Sequence, residues 1–138
     1  MNFVGKFFDR LLGHTRKPEH LRRGELGESA AKRFLKKAGL KFLTANFRDQ
    51  HGEIDLVFRD REALVFVEVK TRSSEEWTRP ADAVDRGKQR RLARTAETYL
   101  AKLGHPDITW RFDIVEVLLN AGRVREIRHL PDEFQAPD

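Results

Sequence analysis

One stretch of this chain breaks its own pattern. Residues 63–70 read Ala-Leu-Val-Phe-Val-Glu-Val-Lys, apolar until Glu68 and Lys70 interrupt the run. A nearly all-apolar run of this length marks a strand buried on both faces. Residues two apart on a strand leave on the same side of the sheet. A charge in such a strand is costly unless it is paired or bound to a metal. The preceding run, Glu53-Ile54-Asp55-Leu56-Val57-Phe58, repeats the anomaly: Glu53 and Asp55 share one face, and Ile54, Leu56 and Phe58 the other. The polar link Asp60-Arg61-Glu62 makes the two runs a candidate antiparallel hairpin, which would carry Asp55 towards Glu68 and Lys70.

Two carboxylates and an ammonium at one spot suit phosphodiester hydrolysis. Asp55 and Glu68 would hold Mg2+, a hard ion that prefers oxygen ligands and keeps several waters; Mn2+ would substitute. The backbone carbonyl of Val69, between them in sequence, would add a ligand. A bound divalent ion acidifies water and offsets charge building on the phosphate. Lys70 would position that water, or take its proton if desolvation depresses its pKa. The competing reading is a structural Asp55–Glu68–Lys70 ion-pair network, common on exposed strands. The apolar setting of the strand favours chemistry.

Other elements must position these groups. The pattern predicts a helix over 21–38, with Leu26, Ala30, Phe34, Leu35 and Ala38 as its apolar face and Gly39 as its stop. Gly24 and Gly27 sit in its first turns, where each costs about 1 kcal/mol relative to Ala. Either something approaches closely there or the helix starts later. Strands are expected over 40–48, 53–59 and 63–71, then a polar loop over 72–81. A second helix over 82–103 offers Val84, Leu92, Ala96, Tyr99, Leu100 and Leu103. Strands over 108–119 and 123–130 follow, and 131–138 reads as a tail. Trp110 and Phe112 are expected in the core, and Asp113 and Glu116 as edge charges; His129 has no evident partner. The order predicts an α/β domain over 19–130, a mixed sheet of about five strands flanked by helices. Residues 1–12 carry an amphipathic stripe, Phe3-Phe7-Leu11 beside Val4-Phe8-Leu12, before a break. That makes 1–18 an extension able to contact a partner.

The bulk numbers agree. The chain has 138 residues, 36% of them charged against about 25% in an ordinary domain, and a net charge of +5. A basic excess favours phosphate-bearing partners. Arg86, Lys88, Arg90, Arg91 and Arg94 crowd the start of the second helix, where they would track a nucleic-acid backbone in a salt-dependent way. Arg72 and Arg79, in the loop after Lys70, would reach the same ligand. The chain has no cysteine, which excludes disulfides, thiolate-zinc sites and a cysteine nucleophile, and suits the cytoplasm. No apolar run is long enough for a transmembrane segment.

The runs Gly24-Glu25-Leu26-Gly27-Glu28, Asn46-Phe47-Arg48, Gly52-Glu53-Ile54-Asp55-Leu56-Val57 and Val65-Phe66-Val67-Glu68-Val69-Lys70-Thr71-Arg72 together resemble the YraN family of the PD-(D/E)XK nuclease superfamily. The superfamily includes archaeal Holliday-junction resolvases, and the likeness covers most of the chain. It implies a restriction-endonuclease-like core and a metal-dependent endonuclease acting on DNA, with branched or structured DNA as a candidate substrate. The alternative is a nucleic-acid-binding protein of the same fold that does not cut, or cuts only with a partner. By the resemblance, Asp55 is the motif aspartate, with Ile54 where the superfamily name has proline. Glu68 is the second metal ligand and Lys70 the motif lysine. Glu28 is a first-helix acid that assists metal binding, Lys88 a phosphate contact, and Glu53 an accessory acid. Resolvase-like relatives imply a homodimer. The chain departs from the family at Trp77-Thr78-Arg79, where an aromatic-Gly pair is expected before Pro80, and substrate preference is open there.

Overall fold

The structure, a computed structural model, describes residues 18–73 and 84–135. The amphipathic segment 1–17, the loop carrying Trp77 and Arg79, and residues 136–138 lie outside the described residues. Helix α1 (Glu19–Lys37) leads into strands β1 (Lys41–Arg48), β2 (Glu53–Asp60) and β3 (Ala63–Ser73). Helix α2 (Arg86–Lys102) follows, then β4 (Trp110–Asn120) and β5 (Arg123–Phe134). β5 runs four residues past its expected end, and Phe134 stacks on Phe112 of β4 with ring centroids 4.6 Å apart. The second helix starts at Arg86, where the Asp85 side chain accepts the Lys88 N–H and caps it.

The sheet order is β1-β2-β3-β4-β5. β1, β2 and β3 form an antiparallel meander, β3 and β4 run parallel, and β5 returns antiparallel to β4. A parallel neighbour needs a long crossover, and α2 lies in the chain between β3 and β4. Over the described residues the fold is therefore α/β, a five-stranded mixed sheet with two helices, the layout of a restriction-endonuclease-like core. One apolar cluster joins Leu92, Ala96 and Leu100 of α2 to Leu64, Phe66, Phe112 and Ile114. The other joins Ala31 and Leu35 of α1 to Leu56, Phe58, Val65, Val67, Val115 and Val117. Buried from both sides, β3 is the hydrophobic run that the sequence shows. Among the described residues, no helix is long and apolar enough to cross a membrane.

The buried stripe of α1 is Gly27, Ala31 and Leu35. The expected face is met only in part: Leu35 is fully buried and Ala30 packs against the same cluster, whereas Leu26 and Phe34 are 38% and 37% exposed. The helix is turned so that Gly27 and Ala31, rather than Leu26 and Phe34, face the sheet. Gly27 accounts for the turn. A Cβ on this residue would meet Thr71 Oγ1 at 1.9 Å and Thr71 Cβ at 3.1 Å, so only glycine lets α1 lie this close to β3. Gly24 has nothing within 4 Å.

Asp113 and Glu116 are not edge charges, because β5 pairs outside β4 and both side chains are fully buried. Asp113 accepts from Arg111 Nε at 2.9 Å and from the Asp132 N–H at 2.9 Å, and bonds His129 Nε2 at 2.7 Å. Arg111 also reaches Asp60 at 3.2 Å. Burial alone would raise the Asp113 pKa; His129, Arg111 and the backbone N–H outweigh it and hold the pKa below the ordinary value. For Glu116 burial wins: its pKa is raised, although Arg128 and Arg72 oppose the shift.

Candidate active site

The last pair of the β2–β3 ladder is Leu56 with Val67. One residue further along each strand stand Asp55 and Glu68. Here the Val69 N–H donates to Asp55 Oδ2 at 2.7 Å. In an antiparallel ladder a residue's N–H and C=O turn to the same side, so the Val69 carbonyl also faces the gap between β2 and β3. The alternation expected for β2 breaks at the same point. Leu56 and Phe58 pack in the cluster under α1, whereas Ile54 belongs to the cluster under α2. The expectation that all three share a face fails because Asp55 turns into the gap to meet Val69.

Three elements deliver acids to this gap. Glu28 comes from α1, Glu53 and Asp55 from β2, and one carboxylate oxygen of each lies within 4.8 Å of the others. Glu68 comes from β3 and is 7% exposed. Its Oε1 is 2.6 Å from Lys88 Nζ and 3.6 Å from Lys70 Nζ. The sequence paired Asp55 with Glu68 and left Glu53 as an accessory. The structure sets Glu53 inside the tightest carboxylate group, beside Asp55, and turns Glu68 towards two lysines. Arg48 Nε is 2.7 Å from the other oxygen of Glu53.

Among the described residues, the ion pairs at these four carboxylates come from Arg48, Lys70 and Lys88 and reach only Glu53 and Glu68. The pKa shifts follow. Burial pushes the Asp55 carboxyl up to about 8, reinforced by Glu68 and Glu28 and opposed by the Val69 N–H and Lys88. Glu28 is raised, first by burial and then by repulsion from Glu53, Glu68 and Glu25, against the hydrogen bond from Asn46. Burial, then the neighbouring Lys88, lowers Lys70. Burial also works against the charge on Lys88, but Glu68 outweighs it and holds that pKa above the ordinary lysine value.

Among the basic residues expected at the site, Lys88 turns inward. Arg86, Arg90 and Arg94 are exposed, on the side of α2 away from the Leu92–Ala96 stripe, and do not converge on the acids. Arg72 continues β3, partly buried; its Nε, a buried atom, has no hydrogen-bond partner among the described residues. Arg79 lies outside the described residues.

Two residues without an assigned role organise the site. Asn46 on β1 donates through Nδ2 to Glu53 at 2.8 Å and to Glu28 at 3.3 Å, tying two acids together. Its φ is 55°, a conformation that asparagine tolerates better than most residues. An asparagine amid a strand pattern is the signal that would have found it. Asp49 fixes the β1–β2 turn: its carboxylate accepts the N–H groups of His51 and Gly52 and the hydroxyls of Thr95 and Thr98 on α2. Partial burial opposes these bonds, yet they hold its pKa at about 2. The Asp-x-x-Gly sequence of the turn carries that signal.

The chain is similar to known proteins over the segment that builds this site. The model of the uncharacterised protein family UPF0102 matches residues 27–117, more than half of the chain. A UPF0102 protein of Symbiobacterium thermophilum is 51% identical over 94 residues, covering 68% of this chain and 80% of its own length. One from Geobacter metallireducens is 42% identical over 112 residues, 81% of this chain and 91% of the relative. One from Chlorobaculum tepidum is 42% identical over 120 residues, 83% and 93% of the two chains. Glu28, Glu53, Asp55, Glu68, Lys70 and Lys88 lie within residues 27–117, and the chain belongs to the UPF0102 family, the YraN family of the sequence resemblance.

Proposed function

We propose that this protein is a divalent-metal-dependent endonuclease that hydrolyses phosphodiester bonds of DNA, with branched or otherwise structured DNA as a candidate substrate. The observation that carries the reading is the crowding of Glu28, Glu53 and Asp55 within 4.8 Å, beside Glu68, at the end of a buried sheet. The donor set fits the ion. It is all oxygen, and it lacks the sulfur or imidazole that would favour a softer metal. Glu28, Glu53, Asp55, Glu68 and the Val69 carbonyl would hold Mg2+, or Mn2+ in its place. A divalent ion supplies an acidified water and charge neutralisation at the scissile phosphate.

The chain's own groups supply the rest. Lys70, with its pKa lowered, orients the attacking water and accepts its proton as oxygen bonds to phosphorus and the opposite P–O bond breaks. Asn46 and Arg48 hold the acids in place. Lys88 and Arg72 lie at the same end of the sheet and offer positive charge to the substrate backbone. The absence of cysteine suits a cytoplasmic setting.

The test is purified protein with Mg2+ or Mn2+ on duplex, single-stranded, flap and four-way DNA. Metal-dependent cleavage is expected, and Glu68→Ala or Lys70→Ala should abolish it while circular dichroism stays unchanged. Cleavage that survives both substitutions rejects this site. A binder that does not cut is the second reading, favoured by the close Lys88–Glu68 contact, which already neutralises one acid. Salt-sensitive binding without turnover in any metal supports it.

A further inference from the structure

We propose that Lys88 is a displaceable counter-ion: it occupies Glu68 while no divalent ion is bound, and an ion entering the acidic cluster releases it towards a phosphate of the nucleic acid. The proposal rests on the metal-dependent reading above.

Glu68 is almost fully buried, so its carboxylate must be balanced from nearby. Its Oε1 has two ammoniums close by, and the nearer is Lys88 at 2.6 Å rather than the motif lysine at 3.6 Å. A lysine and a divalent ion both compete for the same carboxylate oxygen. The two ammoniums also repel each other, so losing Glu68 as partner drives the more mobile one outward. Lys88 is suited to move. Its backbone N–H is anchored on Asp85 Oδ1 at 2.8 Å, in the first turn of α2, while its side chain stays 31% exposed. The flexible four-carbon stem can then swing a compact charge without disturbing the helix. The outward position lies at the positive end of the α2 dipole, where a phosphate is favoured. Metal and nucleic acid would thus bind cooperatively through one side chain.

The experiment is Mn2+ titration of the full chain without nucleic acid, read by the electron paramagnetic resonance of free Mn2+, for wild type, Lys88→Gln, Lys88→Arg and Arg91→Gln. Lys88→Gln should tighten Mn2+ binding about tenfold, the lower end of what a hydrogen bond to a charged group contributes. Lys88→Arg and Arg91→Gln should stay within about twofold of wild type, since one keeps the competing charge and the other removes a charge that does not touch Glu68. Equal affinities for Lys88→Gln and wild type overturn the proposal and leave the metal site standing. So does an equal tightening in Arg91→Gln, which would mean that general charge, not this contact, governs affinity. No Mn2+ binding in any variant overturns both readings. A second measurement follows the Lys88 ammonium by nitrogen-15 NMR. Its protected signal should vanish as Mg2+ saturates the protein, and its persistence overturns the release.

Discussion

Two groups of acid, one fully buried and one mostly half-buried, sit on the same sheet and have opposite electrostatics. Around Asp113, donors meet every demand: Arg111, His129 and the Asp132 N–H surround one carboxylate, and its pKa falls. At the end of β2 and β3, Glu28, Glu53, Asp55 and Glu68 outnumber the cations paired with them among the described residues, and the pKa of Asp55 climbs to about 8. The first arrangement is complete, and removing a part leaves a buried charge unpaired. The second lacks positive charge, and removing an acid relieves it. A satisfied cluster therefore reads as structure and an over-acidic one as a site awaiting a cation.

The contrast is easiest to break with paired substitutions. Asp113→Ala removes the buried partner of Arg111, His129 and the Asp132 N–H, leaving Arg111 only Asp60, and should cost about 3 kcal/mol of unfolding free energy. Glu28→Ala should leave stability near wild type. Urea unfolding of both variants measures this, and equal losses would erase the distinction between the clusters.

Next in size is the close approach that brings Glu28 to the site. Gly27→Ala forces a methyl group onto Thr71, whose own Cβ is in the way, and should cost about 1–3 kcal/mol as overpacking does. It should also shrink the rise in Tm that Mg2+ produces, because α1 carries Glu28. Gly24→Ala, in the same helix with open space around it, should instead gain roughly 0.5–1 kcal/mol. Opposite signs three residues apart in thermal melts would establish that packing, not helix propensity, keeps Gly27.

Asp49 tests the frame between β1–β2 and α2. Asp49→Ala should cost about 1–2 kcal/mol at pH 7, for several hydrogen bonds to one carboxylate. The folded pKa, about 2, lies below the ordinary 3.8, so this stabilisation is present above pH 4 and is lost as pH falls through 2. The Tm gap between wild type and variant should therefore be widest at neutral pH and close near pH 2. A gap that stays constant would mean that the carboxylate's charge contributes nothing.

Much of this was legible in the residues. A nearly continuous apolar run marked β3, and the charges interrupting it singled out Glu68 and Lys70 as candidates without coordinates. The facing of α1 was legible only in part. Leu35 and Ala30 were expected on the apolar face and do pack on the sheet, but Leu26 and Phe34 outweighed Gly27 and Ala31 in the sequence, and only the contact with Thr71 selects the latter pair. Two contacts at the site were out of reach of the sequence: Asn46, seven residues earlier, ties Glu53 to Glu28, and Lys88, 20 residues away, pairs with Glu68. Neither effect has a periodicity. Asp113 was misread because β5 continues through Pro131 and Asp132, residues that ordinarily end a strand, with Asp132 at a φ of 52°. Such facts belong to the sheet, not to any one segment.

The smallest expected effect bears most directly on the over-acidic cluster. An acid whose folded pKa is raised contributes stability in full below its unfolded pKa and loses it as pH rises towards the folded one. For Asp55 that window runs from about pH 4 to about pH 8. Asp55→Asn keeps an oxygen to accept the Val69 N–H but cannot ionise, so it should match wild type at pH 4. At pH 8 without metal it should be more stable by about 1 kcal/mol, a modest share of the range for burying an ill-paired polar group. Mg2+ should raise the Tm of wild type at pH 8 and leave that of Asp55→Asn almost unmoved, because the ion takes the place of the proton that Asp55 otherwise retains. If the variant were instead less stable than wild type at pH 8 without metal, Asp55 would be a satisfied group like Asp113, and the division between the two clusters would be wrong.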